Sequence, residues 1–276
     1  MNLLLFRVFL LPIDQHLWAT EGKERDITLF EKALPSSTER FPFEGSNYVV
    51  DPVRGENMLL GGKLGKLARR RMPVLRGGHL DRTHFELHPY VVFLWLREKQ
   101  ILAIQKNTSI FPNPLRPVRV LESYVNGRLF PDGLEIKSNP LTEENFFWTT
   151  LGNAVNVFEV SFSLPAPNFF GRSKQETKTI LDAIVSDTNA NVVDASVKND
   201  QGALDIKREG RVRHAVELTE EGGGTWSVKL LLKGEHRPRR VRSRDKTRQI
   251  SIGIEWDDSK VEEFKRINID VSNRVS

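Results

Sequence analysis

Residues 155–164, VNVFEVSFSL, alternate between two kinds of side chain, and the predicted fold is built outward from them. One side of an extended chain here is strongly apolar and carries Phe158, Val160, Phe162 and Leu164. The other side is less apolar and carries Val155, Val157, Ser161 and Ser163. This period of two predicts a strand with one buried face. Pro165 and Pro167 end it.

The segments after this strand continue an α+β pattern. The sequence SKQE at 173–176 matches a capping box, and apolar residues at helical spacing then predict a helix over 174–186. A second helix is predicted over 204–220, although Gly210 weakens it by about 1 kcal/mol relative to alanine. Three further strands are predicted, at 191–197, 226–232 and 249–256.

The order of these elements is strand, helix, strand, helix, strand, strand. It predicts a ferredoxin-like β-α-β-α-β-β unit, in which a right-handed crossover would place the two central strands side by side. Residues 222–224 are three consecutive glycines between the second helix and its strand, and a flexible connector is the simplest interpretation of them.

The sequence of the first half of the chain predicts mainly β-strands. Residues 3–11 form a lead strand, and residues 90–96 and 101–104 flank a polar turn, which is typical of a β-hairpin. A short helix follows Thr142 and ends at Gly152, where the soft boundary between the halves is placed.

The predicted fold class is therefore α+β and rich in antiparallel sheet. Residues 1–152 would form a β-rich N-terminal domain, which could be a second related unit. Residues 153–276 would form the ferredoxin-like α+β domain with a basic hairpin arm.

Cysteine is absent, which excludes disulfides, thiolate zinc sites and cysteine nucleophiles. Residues 1–12, MNLLLFRVFLLP, lack the basic start and the small-residue cleavage site of a secretory signal. They are also far shorter than the roughly 20 residues that cross a bilayer. We therefore expect a buried first strand, a soluble cytoplasmic protein and no membrane partner.

The formal charge of +5 is concentrated in one place. Residues 237–248, RPRRVRSRDKTR, hold six arginines and one lysine against one aspartate, a net of +6, so the rest of the chain sums to −1. Such a cluster can neutralise several phosphates, and its position between two predicted strands would project it from the sheet as a hairpin. The predicted nucleic-acid contacts in this basic strip are Arg237, Arg239, Arg240, Arg242, Arg244, Lys246 and Arg248.

A second basic stretch spans residues 61–78 and carries six basic residues and no acid. It could form one or two helical turns over 66–71 or a mobile cationic loop. It is not a nucleotide-binding P-loop, because the glycine spacing is one residue short and Leu67 stands where Ser or Thr is required. Four of its cations would extend the phosphate-binding surface: Lys66, Arg69, Arg70 and Arg71.

The densest group of candidate metal ligands lies in GGHLDRTHFELHP, at His79, Asp81, His84 and His88. Imidazole and carboxylate suit zinc or manganese. His84 and His88 would share a face of a helix, whereas His84, Glu86 and His88 would share a face of a strand. A divalent metal is the one cofactor that the sequence suggests, and surface histidines are the alternative.

Two stretches, VNVFEVSFSLPAPNFF at 155–170 and KNDQGALDIKREGRV at 198–212, resemble an uncharacterised family of bacterial proteins associated with phage-defence loci. The resemblance covers the C-terminal half and implies a role in defence or in a toxin-like system. The architecture is also similar to that of CRISPR RNA-processing proteins of the repeat-associated superfamily, which pair two ferredoxin-like units with a Gly-rich loop. Residues 222–224 would correspond to that loop, although its customary longer signature is absent.

No motif names a reaction, so whether the protein is an enzyme stays open. The leading hypothesis is a protein that binds nucleic acid, with RNA as the expected ligand, in bacterial defence against phage or mobile elements. The first alternative is a metal-dependent nuclease or other hydrolase that uses the 79–88 cluster. The second is a protein–protein adaptor whose basic strip meets an acidic partner.

Overall fold

The computed structural model describes residues 1–13, 27–56, 58–165, 192–253 and 257–275. The helix predicted over 174–186 lies outside the described residues. The described strands are β1 (Asn2–Pro12), β2 (Glu39–Phe43), β3 (Ser46–Arg54), β4 (Leu59–Lys66), β5 (Ala68–Arg76), β6 (His79–Leu87), β7 (Tyr90–Leu96), β8 (Ile101–Gln105), β9 (Leu134–Pro140), β10 (Ala154–Pro165), β11 (Val192–Lys198), β12 (Thr225–Leu232), β13 (Arg239–Arg242) and β14 (Gln249–Ser251). The described helices are α1 (Thr28–Ala33), α2 (Arg116–Leu129), α3 (Phe146–Gly152), α4 (Arg211–Glu220) and α5 (Val261–Arg274).

The fold is α+β and rich in antiparallel sheet, as predicted. The backbone contacts divide the chain into two compact units. The first unit comprises Met1–Leu3, Asp26–Asp132 and Ile250–Ser276, and the second comprises Leu4–Arg25 and Gly133–Gln249. Each unit thus takes pieces of chain from distant parts of the sequence, and the boundary expected near residue 152 falls inside the second unit.

The first unit is built on strands in the order β8-β7-β4-β3-β2, and the described pairs are antiparallel. The hairpin predicted at 90–104 is confirmed as β7 and β8. Its aromatic and branched side chains fill the core, where Phe93 and Trp95 are almost fully buried. A side chain is excluded at Gly61 of β4, since a Cβ there would lie 2.2 Å from the carbonyl oxygen of Phe93.

Strands β5 and β6 form a two-stranded antiparallel sheet of their own. The turn between them is Gly77-Gly78, with φ of 56° and 82°. Two consecutive residues with positive φ are typical of a type I′ turn, which joins hairpin strands through two residues. The prediction of helical turns or a mobile loop over 66–71 is therefore wrong, because Lys66 ends β4 and residues 68–71 pair with β6 as part of one long hairpin.

The second unit contains a four-stranded sheet in the order β11-β10-β12-β13, as well as the antiparallel pair of β1 and β9. One face of the four-stranded sheet packs against α3 and α4. Its core residues include Phe147, Phe162, Val216, Trp226 and Leu230.

The alternation predicted for 155–164 holds over its second half, where Val160, Phe162 and Leu164 are buried. It fails at the start, because the register with β12 shifts between Val157 and Glu159, as in a β-bulge. Val157 consequently packs against the core, and the Phe158 ring lies 5.9 Å from Lys229 Nζ instead.

The ferredoxin-like arrangement is not confirmed. Strand β10 pairs antiparallel with both β11 and β12, whereas a right-handed crossover joins parallel strands. The second predicted helix is shorter than expected, because Gly210 adopts a φ of 76° and α4 begins only at Arg211. In the part of the chain that the structure describes, no helix has the length and apolar character needed to cross a membrane.

Candidate nucleic-acid interface

The basic strip, residues 237–248, is part of the sheet. Its residues 239–242 are β13, which pairs antiparallel with β12 from Ser227↔Arg242 to Leu230↔Arg239. A single 3₁₀ turn, Ser243–Lys246, follows. The prediction that the strip projects from the sheet as a hairpin arm is therefore wrong: it forms the edge strand and the turn after it.

Four cations of the strip form ion pairs with carboxylates of the same unit. The N···O distances are 3.3 Å for Arg239–Glu235, 2.8 Å for Arg240–Glu159, 3.0 Å for Lys246–Glu143 and 3.2 Å for Arg248–Glu144. Three of the pairs have at least one well-exposed partner, and in the fourth the side chains of Arg240 and Glu159 are 35% and 16% exposed. Exposed pairs contribute about 0–1 kcal/mol, so a phosphate can compete with these carboxylates for the cations.

Three arginines of the strip, Arg237, Arg242 and Arg244, are exposed and form no ion pair with a carboxylate among the described residues. Asp245 lies close to two of them in sequence, but its Oδ2 accepts a hydrogen bond from the backbone N–H of Arg242 at 2.8 Å. That bond closes the 3₁₀ turn and fixes the backbone from which Arg242 and Arg244 extend.

The same turn is anchored to the core of the unit. Ser243 is fully buried, and its hydroxyl accepts a hydrogen bond of 3.2 Å from the Trp226 backbone N–H. Trp226 in turn packs edge-on against Phe147, with ring centroids 5.1 Å apart. The arginines on either side of Ser243 are thus carried by backbone that is held to a rigid scaffold, which lowers the entropy cost of placing them.

The face of the four-stranded sheet opposite the core is polar, and we refer to it as the open face. Its residues follow from the strand registers, which align side chains in rows across the sheet. The first row is Asp194, Ser163 and Thr225; the second is Ser196, Ser161, Ser227 and Arg242; the third is Lys198, Glu159, Lys229 and Arg240. Every member of these rows is exposed or half-buried.

A groove of about 510 Å³ lies on the open face. Hydroxyl groups line it from three strands, and the guanidinium-bearing residues Arg242 and Arg244 line its side. Arginine forks and serine hydroxyls both donate to phosphate oxygens, so the combination suits an anionic, oxygen-rich ligand.

Glu159 is the carboxylate at the centre of the third row. Its Oε2 accepts a 2.8 Å hydrogen bond from Arg240 Nη2, and its Oε1 accepts one of 2.9 Å from the Ser161 hydroxyl. The hydrogen bond from Arg240, followed by that from Ser161, holds the pKa of Glu159 below its ordinary value. Glu159 is therefore ionised at neutral pH and forms an ion pair with Arg240 when no ligand is bound.

The second predicted basic group belongs to the first unit. Lys66 ends β4, and Arg69, Arg70 and Arg71 lie on β5. The three arginines are exposed, and Arg69 forms an ion pair of 3.4 Å with Glu86. Successive residues of a strand point to opposite faces, so Arg70 lies on the other face of the hairpin from Arg69 and Arg71.

The candidate metal ligands are not brought together. His79 and Asp81 share one face of β6, His84 lies on the other face, and His88 follows the end of the strand. The Nε2 atom of His84 accepts a hydrogen bond of 2.8 Å from Arg71 Nε, which occupies one of its two possible metal-binding nitrogens. Among the described residues, no group of three His, Asp or Glu side chains is placed to hold a metal ion.

The glycines at 222–224 have a packing explanation. A Cβ on Gly224 would lie 2.6 Å from the carbonyl oxygen of Ser163, and one on Gly222 would lie 2.7 Å from Arg7 Cβ. The absence of side chains lets the chain run close to its neighbours before β12 begins. These two contacts account for Gly222 and Gly224 without a bound ligand.

The hydroxyl-rich rows of the open face were not predicted from the sequence. The signal was present, because Ser161 and Ser163 alternate with buried apolar residues along β10. Their partners across the sheet, Ser196, Ser227 and Thr225, could not be assigned without the register.

A scan against models of known protein families finds no match to this chain, and a search of curated proteins finds none either.

Proposed function

We propose that this protein binds nucleic acid on the open face of its four-stranded sheet, with Arg242 and Arg244 as the principal phosphate contacts. The observation that carries this proposal is the groove itself, where two arginines without a described carboxylate partner stand beside hydroxyls from neighbouring strands. The face carries five cations, Lys198, Lys229, Arg240, Arg242 and Arg244, against the carboxylates Glu159 and Asp194.

The chemistry of the face favours contacts to the backbone of the nucleic acid. Its rows contain serine, threonine, lysine and arginine besides the two carboxylates, and no member of these rows is aromatic. Hydroxyls and guanidinium groups bind phosphate and the ribose 2′-hydroxyl, whereas base reading by single-strand modules depends on stacked aromatic rings. We therefore take the ligand to be RNA, held through its sugar–phosphate backbone with little preference for base sequence.

The proposal places this binding in bacterial defence against phage or mobile elements, in the cytoplasm. The support is the resemblance of residues 155–170 and 198–212 to proteins of phage-defence loci. Those two stretches include Glu159, Ser161, Ser163 and Lys198 of the open face.

The test is fluorescence anisotropy of the full chain with labelled single-stranded RNA over a range of salt concentrations. Replacing Arg242 and Arg244 together by alanine should weaken binding about tenfold or more at low salt. The slope of log K against log salt should become shallower by about 1.4, since each phosphate contact on a single strand contributes about 0.7.

A matched control removes two arginines elsewhere. Arg213 and Arg266 are similarly exposed and pair with Glu217 and Glu263 on their own helices. The Arg213→Ala, Arg266→Ala variant loses the same charge but should keep the native salt slope. Equal losses in both double variants would mean that net charge alone attracts RNA, and the proposed site would be abandoned.

A further inference from the structure

The β5–β6 hairpin of the first unit is long, exposed and separate from the other described sheets. Its strands pair without a break from Ala68↔Leu87 to Arg76↔His79. Nine residues at about 3.3 Å each make a ribbon roughly 30 Å long. Of the nine residues of β6, eight are exposed and one is half-buried.

The end of the ribbon carries an apolar pair. Leu75 and Leu80 face each other across the strands. One further pair, Arg76↔His79, separates them from the Gly77-Gly78 turn. The exposed fractions of the two leucines are 70% and 81%. Two large side chains that project together into solvent contribute nothing to the core. Contiguous exposed apolar groups mark surfaces that meet a partner.

The face of the ribbon below the leucines is basic. The cross-strand pairs on this face, counted back from Leu75↔Leu80, are Pro73↔Arg82, Arg71↔His84 and Arg69↔Glu86. It therefore holds three guanidinium groups against one carboxylate, and Arg71 and Arg82 form no ion pair with any described carboxylate. A surface with an apolar tip and a cationic stem complements a polyanion that has an apolar interior.

We infer that this hairpin enters a groove of double-stranded DNA, where Leu75 and Leu80 wedge into a base step and Arg69, Arg71 and Arg82 contact the flanking phosphates. A two-stranded ribbon fits the major groove of B-form DNA, which is about 12 Å wide. In proteins that bind the minor groove, apolar side chains that enter between base pairs unstack them and kink the duplex, and we infer the same unstacking for Leu75 and Leu80 from the major groove. The major groove of A-form RNA is too deep and narrow for such a ribbon. This inference does not rest on the proposed function, because it concerns the other unit and a different ligand.

The test uses the full chain and a duplex of about 20 base pairs with 2-aminopurine in one strand. Fluorescence of this base rises when it is unstacked. The native protein should raise the fluorescence in double-stranded DNA and bind it at least about tenfold tighter than double-stranded RNA of the same sequence. The Leu75→Ser, Leu80→Ser variant should lose the fluorescence rise but keep the salt slope, since no charge is removed.

The Arg71→Gln, Arg82→Gln variant should keep the fluorescence rise but show a weaker dependence of binding on salt. Its salt slope should become shallower by about 1.8, because each phosphate contact on B-form DNA contributes about 0.9. The Arg242→Ala, Arg244→Ala variant of the open face should leave the fluorescence rise unchanged, so that failure of one proposal is distinguishable from failure of the other.

Three results would overturn the inference. They are a native protein that does not raise the fluorescence, a serine variant that still raises it, and equal affinity for the two duplexes. A native oligomer that the serine variant converts to a monomer, with no binding to DNA, would assign the leucine pair to a second copy of the chain instead.

Discussion

Arg240 reaches from the edge strand β13 across β12 to Glu159 on β10, with 2.8 Å between Arg240 Nη2 and Glu159 Oε2. Arg240 Nη1 also donates to the Ser227 hydroxyl at 2.8 Å. In the free protein the Glu159 carboxylate is therefore paired with the guanidinium group of Arg240, which lies in the row next to Arg242. Glu159 acts as an internal competitor for any phosphate that approaches this part of the open face.

Replacing Glu159 by glutamine should strengthen RNA binding. The substitution removes the competing charge and releases Arg240, and since an exposed ion pair contributes at most about 1 kcal/mol, affinity should rise roughly two- to fivefold at low salt. The salt slope should become steeper by about 0.7 if Arg240 then contacts one more phosphate. Anisotropy titrations at several salt concentrations measure both quantities.

The control for this variant is Glu217→Gln, which removes a carboxylate that pairs with Arg213 on α4. It changes the net charge by the same amount but lies outside the open face. An equal gain in affinity from both variants would show that only net charge matters and that Glu159 has no special position.

A buried carboxylate stabilises the first unit. Glu31 is 4% exposed, accepts hydrogen bonds from Trp95 Nε1 at 2.9 Å and from the Leu59 N–H at 3.1 Å, and forms an ion pair with Arg97. Glu31→Gln should lower the free energy of unfolding at pH 7 by about 2–3 kcal/mol, because the Arg97 charge loses its partner. Urea unfolding measures this, with the exposed Glu262→Gln as the control that should be neutral.

The same residue predicts a dependence of stability on pH. Burial raises the pKa of Glu31, but the hydrogen bonds from Arg97, Leu59 and Trp95 outweigh it, so the pKa in the folded protein lies below the ordinary 4.5. Its stabilisation is complete above pH 4.5 and is lost as the pH falls through the lower, folded value. Below pH 4.5 the native protein should therefore lose stability more steeply than Glu31→Gln, and parallel curves would contradict this assignment.

Replacing glycine by alanine should have opposite effects on stability at Gly61 and Gly127. Gly61→Ala places a Cβ 2.2 Å from the Phe93 carbonyl oxygen on the neighbouring strand, where backbone must move, and should destabilise by about 3 kcal/mol or more. Gly127 lies in α2 with nothing within 4 Å of the added Cβ. Gly127→Ala should stabilise by about 0.5–1 kcal/mol, because alanine favours the helix. Thermal unfolding of the two variants shows whether the signs differ.

Strands with alternating or continuous apolar side chains could be predicted from the sequence. The predicted bounds are confirmed within a residue or two for β1, β7, β8, β10 and β12. The hairpin of β5 and β6 was not predicted, because Arg69, Arg70 and Arg71 interrupt any period of two. The signal that could have found it is the Gly77-Gly78 dipeptide, which is typical of a two-residue hairpin turn and lies between the two paired strands.

The candidate site could also be predicted only in part, because it depends on contacts between segments that are distant in the sequence. The cations of the basic strip are visible as a cluster of charge, but which of them keep a carboxylate partner depends on contacts across the fold. Arg240 meets Glu159 only because β10 and β13 flank the same central strand. Arg242 and Arg244 differ from it through the position of the 3₁₀ turn, which no local sequence signal specifies.

The hydroxyls of the open face should contribute to affinity without contributing to its salt dependence. Ser163 and Ser196 line the groove on neighbouring strands. The Ser163→Ala, Ser196→Ala variant should lose about 1–2 kcal/mol of binding free energy, since each hydrogen bond contributes about 0.5–1.5 kcal/mol, while the salt slope stays native because no charge is removed. Ser109→Ala, in the first unit, removes a hydroxyl bonded to Asn107 and should leave RNA binding unchanged. If the groove variant binds RNA as tightly as the native protein, the arginines alone hold the ligand and the hydroxyl rows do not contact it. If its salt slope changes, the substitutions have disturbed the strands that carry the charges.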